Sequence, residues 1–252
     1  MVMSMAMPSA TLKISTVLGF KGTPAHPITP AVITKGLVDA CSATARESGV
    51  RRGLRIRDAQ ARCPGLVTLD HDPALDHRAF DPVLAVVAET VPHVECVRPG
   101  LCVFEVRGAA RYLGSEAEVA ALMAEQLAHV GVPEPRFGVA DGVFAAEQAS
   151  RRADPGECTV VAEGSDREFL AVLPLSVLEL PELTDLLGRL GIRTLGDLAA
   201  LPESDVVTRF GPAGKAAHAL ASGADLRIVA SAAPTHDYER TQSFEPALTR
   251  ID

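Results

Sequence analysis

Residues 93–108, HVECVRPGLCVFEVRG, contain two short apolar runs separated by Pro99 and Gly100. A Pro-Gly pair in this position is typical of a tight turn, so the stretch predicts two strands joined by that turn. On either side of these strands, the apolar residues recur at the spacing of a helix. HRAFDPVLAVVAETV (77–91) and EAEVAALMAEQLAHVGV (116–132) both carry apolar residues at helical spacing. Strands flanked by amphipathic helices predict a sheet covered by helices, which is a mixed α/β (α+β) fold.

The alternation continues in both directions from this hairpin. LVTLD (66–70) predicts a strand upstream, PRFGVADG (135–142) predicts a strand downstream, and VFAAEQASRRA (143–153) predicts a further helix. Within the helix predicted from residue 77, we expect Pro82 in the first turn, where a proline is tolerated. The same alternating pattern therefore covers residues 66 to 165.

The two ends of the chain have other patterns. Residues 31–50 combine a β-branched run with an Ala-rich helical stretch, and RRGLRIRDAQARCPGL (51–66) predicts an arginine-rich helix that stops before Pro64. After residue 165 the predicted strands stop, and short helices with tight turns follow. Residues 231–252 are polar and read as a connector.

Composition limits the classes of function. The chain has 252 residues, 47% of them hydrophobic, and a net charge of −8, so any contact with nucleic acid must be local. Its five cysteines are widely spaced without a CxxC pair, which favours reduced thiols over a zinc or redox site. No apolar run approaches the roughly 20 residues of a membrane span. We expect a cytoplasmic protein with no metal, no cofactor and no membrane partner.

Two glycine turns in the helical part are candidate phosphate sites. Their residues are Gly191, Ile192, Arg193 and Thr194 in the first turn, and Gly211, Gly214 and Lys215 in the second. Amides at a helix N-terminus beside a tight turn bind anions, and Thr194 is placed as an N-cap. The same spacing also fits ordinary turns of a small helical bundle.

Three stretches in this order resemble Y-family (UmuC/DinB-like) translesion DNA polymerases, and are most similar to their ImuB-type branch. Residues 43–66 resemble the fingers, residues 136–156 the late palm, and residues 169–180 with 190–211 the helix-hairpin-helix thumb. The first thumb hairpin, near residues 180–185, lacks the family's glycines.

The resemblance implies a palm sheet with helices, a fingers-like segment, a small thumb and no little finger. It divides the chain into a divergent or truncated N-terminal segment (1–27), a fingers-like segment (28–66), a palm-like domain (67–165), a thumb-like domain (166–230) and a linker (231–252).

The same resemblance implies that the polymerase metal site is missing. The family holds two divalent metals with a carboxylate from its first strand and an Asp-Glu pair from a later hairpin. The first acidic residue here is Asp39, so we expect the first strand to be absent or heavily altered. The Asp-Glu pair falls on Leu101 and Cys102. No catalytic or metal-binding residue is therefore predicted.

The family's triphosphate contacts are also weakened. Its tyrosine falls on Ala43, although Arg46 remains, and its asparagine and lysine fall on Gly142 and Val143. A second lysine falls on Glu147. Further phosphate contacts are candidates in the fingers-like segment, at Arg51, Arg52 and Arg55, although these arginines equally fit a solvated helix face.

What the resemblance implies about function is a catalytically inactive, DNA-binding adaptor in damage-induced mutagenesis. Its expected partners are primer-template or damaged DNA, held weakly through the backbone, a C-family error-prone polymerase, the sliding clamp and a RecA-like accessory protein. Two alternatives stay open. One is an active but divergent polymerase that uses Glu105 and Asp141, and the other is a truncated remnant without function.

Overall fold

The first residues of the chain form the central strand of the larger sheet. The structure is a computed structural model that describes residues 1–7, 29–132, 134–225, 227 and 229. The larger sheet, here called the palm sheet, has the strand order β5-β6-β1-β7-β8. Its strands are β1 Val2–Ala6, β5 Val94–Arg98, β6 Leu101–Glu105, β7 Arg136–Ala140 and β8 Cys158–Val160.

The position of β1 bears on the two alternatives for the N-terminal segment, whose first strand was expected to be absent or heavily altered. The strand is present and pairs antiparallel with both β6 and β7, so it is altered in sequence and not missing. Its residues, VMSMA, include no carboxylate. The rest of that segment, residues 8–27, lies outside the described residues.

The strand register assigns the two faces of the palm sheet. Met5 lies opposite Cys102 and Phe137, and Met3 lies opposite Phe104, which gives one continuous apolar face. Two helices cover this face, α3 (Pro73–Thr90) and α5 (Glu116–His129), as the helical periodicity predicts. A short helix that the sequence did not indicate, α4 (Arg107–Leu113), precedes α5.

Helix α3 begins earlier than predicted. Asp72 caps it by accepting hydrogen bonds from the amides of Ala74 and Leu75, and Pro73 occupies its first turn. Pro82 consequently lies inside the helix and not in the first turn. The cap decides the start because it satisfies amides that otherwise have no partner.

The opposite face of the palm sheet is covered by helix α6 (Val143–Arg152), whose residues from Val143 to Ser150 are all buried. The helix approaches β7 so closely that a Cβ at Gly138 would stand 2.1 Å from the backbone nitrogen of Ser150. The hydroxyls of Ser4 and Ser150 are 3.3 Å apart in this interface. Glycine at position 138 is therefore a condition for seating α6.

A second sheet, with the order β3-β2-β4, forms the fingers-like part. Its elements are β2 Thr29–Thr34, β3 Leu37–Cys41, α1 Ala43–Glu47, α2 Ile56–Arg62 and β4 Leu66–Asp70. Strand β4 pairs parallel with β2, so this part extends to residue 70. The boundary predicted at residues 66 and 67 cuts through β4, because a long-range strand pairing leaves no local signal.

The thumb-like part is helical, as predicted. It contains α7 (Asp166–Ala171), a 3₁₀ turn (Leu175–Leu178), α8 (Pro181–Arg189), α9 (Leu195–Ala199) and α10 (Glu203–Ala221). Buried leucines from these helices form a core shared with α6. None of the helices in the described part of the chain is long and apolar enough to cross a membrane.

Candidate nucleic-acid interface

Leu101 and Cys102, where the resemblance puts the family's Asp-Glu pair, are apolar and buried. Ala6 at the end of β1 lies directly opposite Leu101, which is 2% exposed. Cys102 is fully buried and faces the other side of the sheet with Met5. Burial raises the pKa of the Cys102 thiol far above its ordinary value, and the neighbouring Cys96 adds to this effect. A buried neutral thiol and a leucine offer no ligand to a hard divalent cation.

Within the described residues, no group of three or more His, Cys, Asp or Glu side chains is placed to hold a metal ion. Asp39 on β3 forms an ion pair with Arg52 at 3.3 Å. Asp141 accepts a hydrogen bond from the amide of Gly164 at 2.6 Å.

Glu147 on α6 belongs to an ion-pair network with arginines of β5 and α6. Its carboxylate accepts hydrogen bonds from Arg98 at 2.8 Å and from Arg151 at 2.7 Å, and the side chain is 9% exposed. Arg151 also bonds Glu179 at 2.9 Å. Partial burial raises the pKa of Glu179, but the hydrogen bond from Arg151 and the charges of Arg98 and Arg52 outweigh it and lower that pKa overall. The position where the resemblance puts a lysine therefore holds a paired anion.

A basic cavity of about 350 Å³ lies between the palm sheet and the fingers-like sheet. Among the described residues, five arginines and one carboxylate, that of Asp39, line it, and the arginines are Arg46, Arg51, Arg52, Arg136 and Arg151. We call it the arginine cavity. In a chain of net charge −8, this is a local concentration of positive charge of the kind that a phosphate contact requires.

The arginines of this cavity differ in the hydrogen bonds that their side chains form. Arg51 donates to the carbonyls of Arg46 and Val50 and so holds the loop after α1. The buried Nε of Arg136 has no hydrogen-bond partner among the described residues. Arg46, Arg51 and Arg52 line the cavity together, whereas Arg55 is an exposed N-cap of α2 outside it.

Sequence reasoning missed Arg136 and Arg151 as members of this site. Arg151 belongs to the RRADPG stretch (151–156), which in sequence has no partner in view. A signal for Arg136 existed, since it is the one charged residue at the start of an otherwise apolar strand. Neither residue could be linked from sequence to the arginines of the fingers-like part, because only the strand pairings bring the two groups together.

The first thumb turn is built as the sequence indicates, but its amides are occupied. Gly191 has a φ of 85° and ends α8, and Thr194 caps α9 in a capping box with Asp197. The Asp197 carboxylate accepts from the amides of Arg193 and Thr194 at 3.0 and 2.9 Å. These hydrogen bonds lower the pKa of Asp197. A phosphate at this turn would compete with an anion that the chain itself supplies.

The second thumb turn is a kink within α10. Gly211 has a φ of 63° and a ψ of −150°, and the helix resumes at Pro212. Lys215 is exposed, and within the described residues it forms no hydrogen bond or ion pair. Gly214 is buried, and a Cβ there would stand 2.5 Å from the Cβ of Phe210. Gly214 is thus a packing glycine, while Gly211 and Lys215 remain accessible to a ligand.

Carboxylates from the thumb occupy the start of α6. Asp166 accepts from the amides of Asp141 at 3.2 Å and Gly142 at 2.7 Å, and Asp225 accepts from the amide of Phe144 at 2.7 Å. Burial raises the pKa of Asp166 in spite of these bonds. For Asp225, burial is outweighed by hydrogen bonds from Arg227 and Phe144, so its pKa is lowered. The resemblance puts Asn and Lys at the start of this helix, and here that end is closed by the chain's own anions.

A family model described as "impB/mucB/samB family" matches residues 23–151, which is about half of the chain. The chain belongs to the impB/mucB/samB family.

Individual members of the family agree with this assignment. The chain is 31% identical over 215 residues to DNA polymerase IV of Dehalococcoides mccartyi (strain CBDB1), covering 84% of this chain and 55% of that protein. It is 30% identical over 200 residues to Protein ImuB of Caulobacter vibrioides (strain NA1000 / CB15N), covering 79% and 43%. The chain thus spans about half the length of the curated relatives it matches.

The fold of this family member is also that of a solved polymerase. The crystal structure of DinB from Sulfolobus solfataricus superposes with a TM-score of 0.68 at 18% identity, covering 91% of this chain and 69% of that one. The resemblance to Y-family polymerases and the α/β palm architecture are therefore confirmed. Some of the relatives are named DNA polymerase IV and another is named Protein ImuB. Membership of the family therefore does not decide whether this chain is an active polymerase.

Proposed function

We propose that this chain is a catalytically inactive member of its family that holds DNA and acts as an adaptor in DNA damage tolerance and induced mutagenesis. The observation that supports the proposal is the kind of residue found where the resemblance puts the metal ligands. Leu101 and Cys102 stand where the resemblance puts the Asp-Glu pair, and Ala6 at the end of β1 lies opposite Leu101. Glu147 is bound by two arginines. Two-metal nucleotidyl transfer needs several carboxylates at one point.

The active-polymerase alternative uses Glu105 and Asp141, and their positions weaken it. Glu105 lies opposite Val2, four residues along β6 from Leu101, which is roughly 13 Å at strand spacing. Asp141 is engaged with the amide of Gly164. Primer extension with Mg²⁺ or Mn²⁺ tests this alternative. Template-directed extension that is abolished by Glu105→Ala or Asp141→Ala would overturn the inactive assignment, and no extension above a no-protein control supports it.

DNA binding is proposed to use the arginine cavity together with the turn around Gly211 and Lys215. The cavity supplies charge that is otherwise scarce on this acidic chain, and Lys215 supplies an exposed cation in the first turn of a helix segment. The turn from Gly191 to Thr194 is assigned a smaller part, because Asp197 already satisfies its amides. Contacts of this kind read the phosphate backbone and not the base sequence.

Fluorescence anisotropy with a labelled primer-template duplex over a salt series tests this binding. We expect binding that weakens with salt, and the double variant Arg46→Ala/Arg52→Ala should lower the slope of log K against log salt by about 1 to 2. Lys215→Ala should lower it by about 1. Arg57→Ala is the matched control, since Arg57 is exposed in the same segment but does not line the cavity. Equal effects of the control and the cavity variants would contradict the assignment.

The protein partners belong to the same proposal. By family resemblance they are a C-family error-prone polymerase, the sliding clamp and a RecA-like accessory protein, met in the cytoplasm where the chromosome is accessible. Pairwise size-exclusion and calorimetric binding with the three purified proteins tests this part. Binding of none of them would overturn the adaptor role and leave DNA binding to be judged by the salt series.

A further inference from the structure

The outer side of the palm carries a groove that the DNA-binding proposal does not use. It runs between the end of α3, helix α4 and helix α5, and has a volume of about 490 Å³. We call it the outer groove, and its defining residues are Glu89, His93, Glu105, Tyr112, Leu113 and Leu122. Glu105 marks the end of β6 opposite to Leu101, so the outer groove and the metal-ligand positions lie at opposite ends of that strand.

Tyr112 is the most unusual side chain of the outer groove. It is 90% exposed, the highest value among the exposed large hydrophobic side chains of the described residues. Its ring is held on α4 next to apolar lining from Leu113 and Ala109. An aromatic ring left in solvent beside a groove is typical of a contact surface, because tyrosine supplies contact area at low entropic cost.

The electrostatics of the outer groove are negative. Glu89 and Glu105 are exposed, and within the described residues neither forms an ion pair or side-chain hydrogen bond. Helix α3 ends at Thr90 beside them, and its last turn contains no basic residue to offset the negative end of the helix dipole. Two carboxylates, a helix C-terminus and the face of an aromatic ring all favour a cation at one place.

From this arrangement we infer that the outer groove is a docking site for a protein segment that presents an arginine or lysine beside an aliphatic residue. The cationic head pairs with Glu89 and Glu105 and lies against the Tyr112 ring, while the aliphatic side chain enters the apolar part near Leu113 and Leu122. Charge complementarity selects this occupant over a nucleic acid, whose phosphates the two carboxylates repel. The inference is independent of whether the arginine cavity holds DNA.

The chain offers a direct reporter for this site. It has no tryptophan and two tyrosines, Tyr112 and Tyr238, so Tyr238→Phe leaves Tyr112 as the only strong intrinsic fluorophore. The probe is the peptide acetyl-Leu-Arg-Leu-Arg-amide, compared with its glutamine and glutamate counterparts. We expect a saturable change in Tyr112 emission with the arginine peptide, with a Kd of about 1 mM or tighter, and much weaker binding of the other two peptides.

Matched charge variants separate a built site from a general field. Glu89→Gln/Glu105→Gln should weaken binding of the arginine peptide by about tenfold. Glu125→Gln/Glu134→Gln changes the net charge by the same amount at exposed positions outside the groove and should leave binding unchanged.

Several results overturn the inference. They are a linear response without saturation, equal binding of the glutamine peptide, and equal loss in the two double variants. A Tyr112 emission that changes with protein concentration alone would assign the groove to a second copy of the chain, which also overturns it.

Discussion

Placing a lysine at position 147 should destabilise this protein strongly. In Glu147→Lys the buried carboxylate between Arg98 and Arg151 becomes a third cation, at a position where the side chain is 9% exposed. Each of the two pairs, with charges about 4 Å apart, corresponds to roughly 4 kcal/mol at an effective dielectric constant near 20. Arg98 and Arg151 are 46% and 31% exposed, so water screens a large part of that energy and lets both side chains move away.

After this discount, we expect Glu147→Lys to lower the free energy of unfolding by about 3 to 5 kcal/mol. Glu147→Gln keeps one acceptor oxygen and removes only the charge, so its cost should be about 1.5 to 3 kcal/mol. For a chain of this size, each kcal/mol corresponds to a fall in Tm of about 2 to 4 °C. The ordering of the two variants is the sharper part of the prediction.

Urea unfolding followed by circular dichroism at neutral pH measures both changes. The matched control is Glu125→Lys, which reverses a charge at an exposed position of α5 and should alter stability by no more than about 0.5 kcal/mol. If Glu147→Lys unfolds at the same urea concentration as the unmodified chain, Glu147 is not held by the two arginines and the reasoning fails. Equal losses for the lysine and glutamine variants would show that packing, and not charge, decides the effect.

Other predictions follow from single contacts. Gly138→Ala places a Cβ against the backbone of Ser150 and should cost about 3 kcal/mol or more in urea unfolding, and a near-neutral effect would refute the close seating of α6. Asp225→Asn removes a carboxylate whose pKa is lowered by folding, so it should cost about 1 to 2 kcal/mol at neutral pH. That difference should shrink as the pH falls through and below the ordinary value of 3.8, and a pH-independent difference would exclude a charge effect. In Gly214→Ala the new Cβ collides with Phe210, so Tm should fall while the salt dependence of DNA binding stays the same. A changed salt slope at unchanged Tm would instead make Gly214 a phosphate contact. Addition of millimolar Mg²⁺ or Mn²⁺ should leave Tm unchanged, and a rise of several degrees would reveal a metal site.

The apolar residues at the centre of the palm sheet have a physical consequence for stability. Carboxylates held close together repel one another unless a cation lies between them. With Leu101 and Cys102 in the core of the sheet, the described residues of this chain place no such cluster there, and the same space contributes to apolar packing. Under the proposed function, divalent metal adds nothing to the stability of the chain, and the metal experiment tests that proposal.

Elements with a strong local period could be predicted from sequence. The hairpin around Pro99 and Gly100, helix α5 and helix α6 appear where the apolar spacing indicated. Strand β1 could not be predicted, because its five residues carry too little pattern. Its place at the centre of the sheet comes from pairing with two strands about a hundred residues or more away.

The candidate site shows the same division. The resemblance implied the loss of the metal ligands, which stays a prediction, and the cap at Thr194 was visible from its spacing to the following helix. Occupation of the neighbouring amides by Asp197 is a geometric result that the same residues did not reveal. The packing role of Gly214 was hidden as well, because a glycine that opens a turn and a glycine that admits a neighbour look alike in sequence.

The sequence by itself determined where most helices and strands lie, since these depend on residue types and on contacts within a few residues. Only the tertiary structure decided which charges meet. Glu147 is bound by Arg98, which lies 49 positions away in the sequence, and the amide of Phe144 donates to Asp225, which lies 81 positions away. Such pairs depend on strand register and helix seating, because the backbone must first bring distant segments to hydrogen-bond distance before a charge can select its partner.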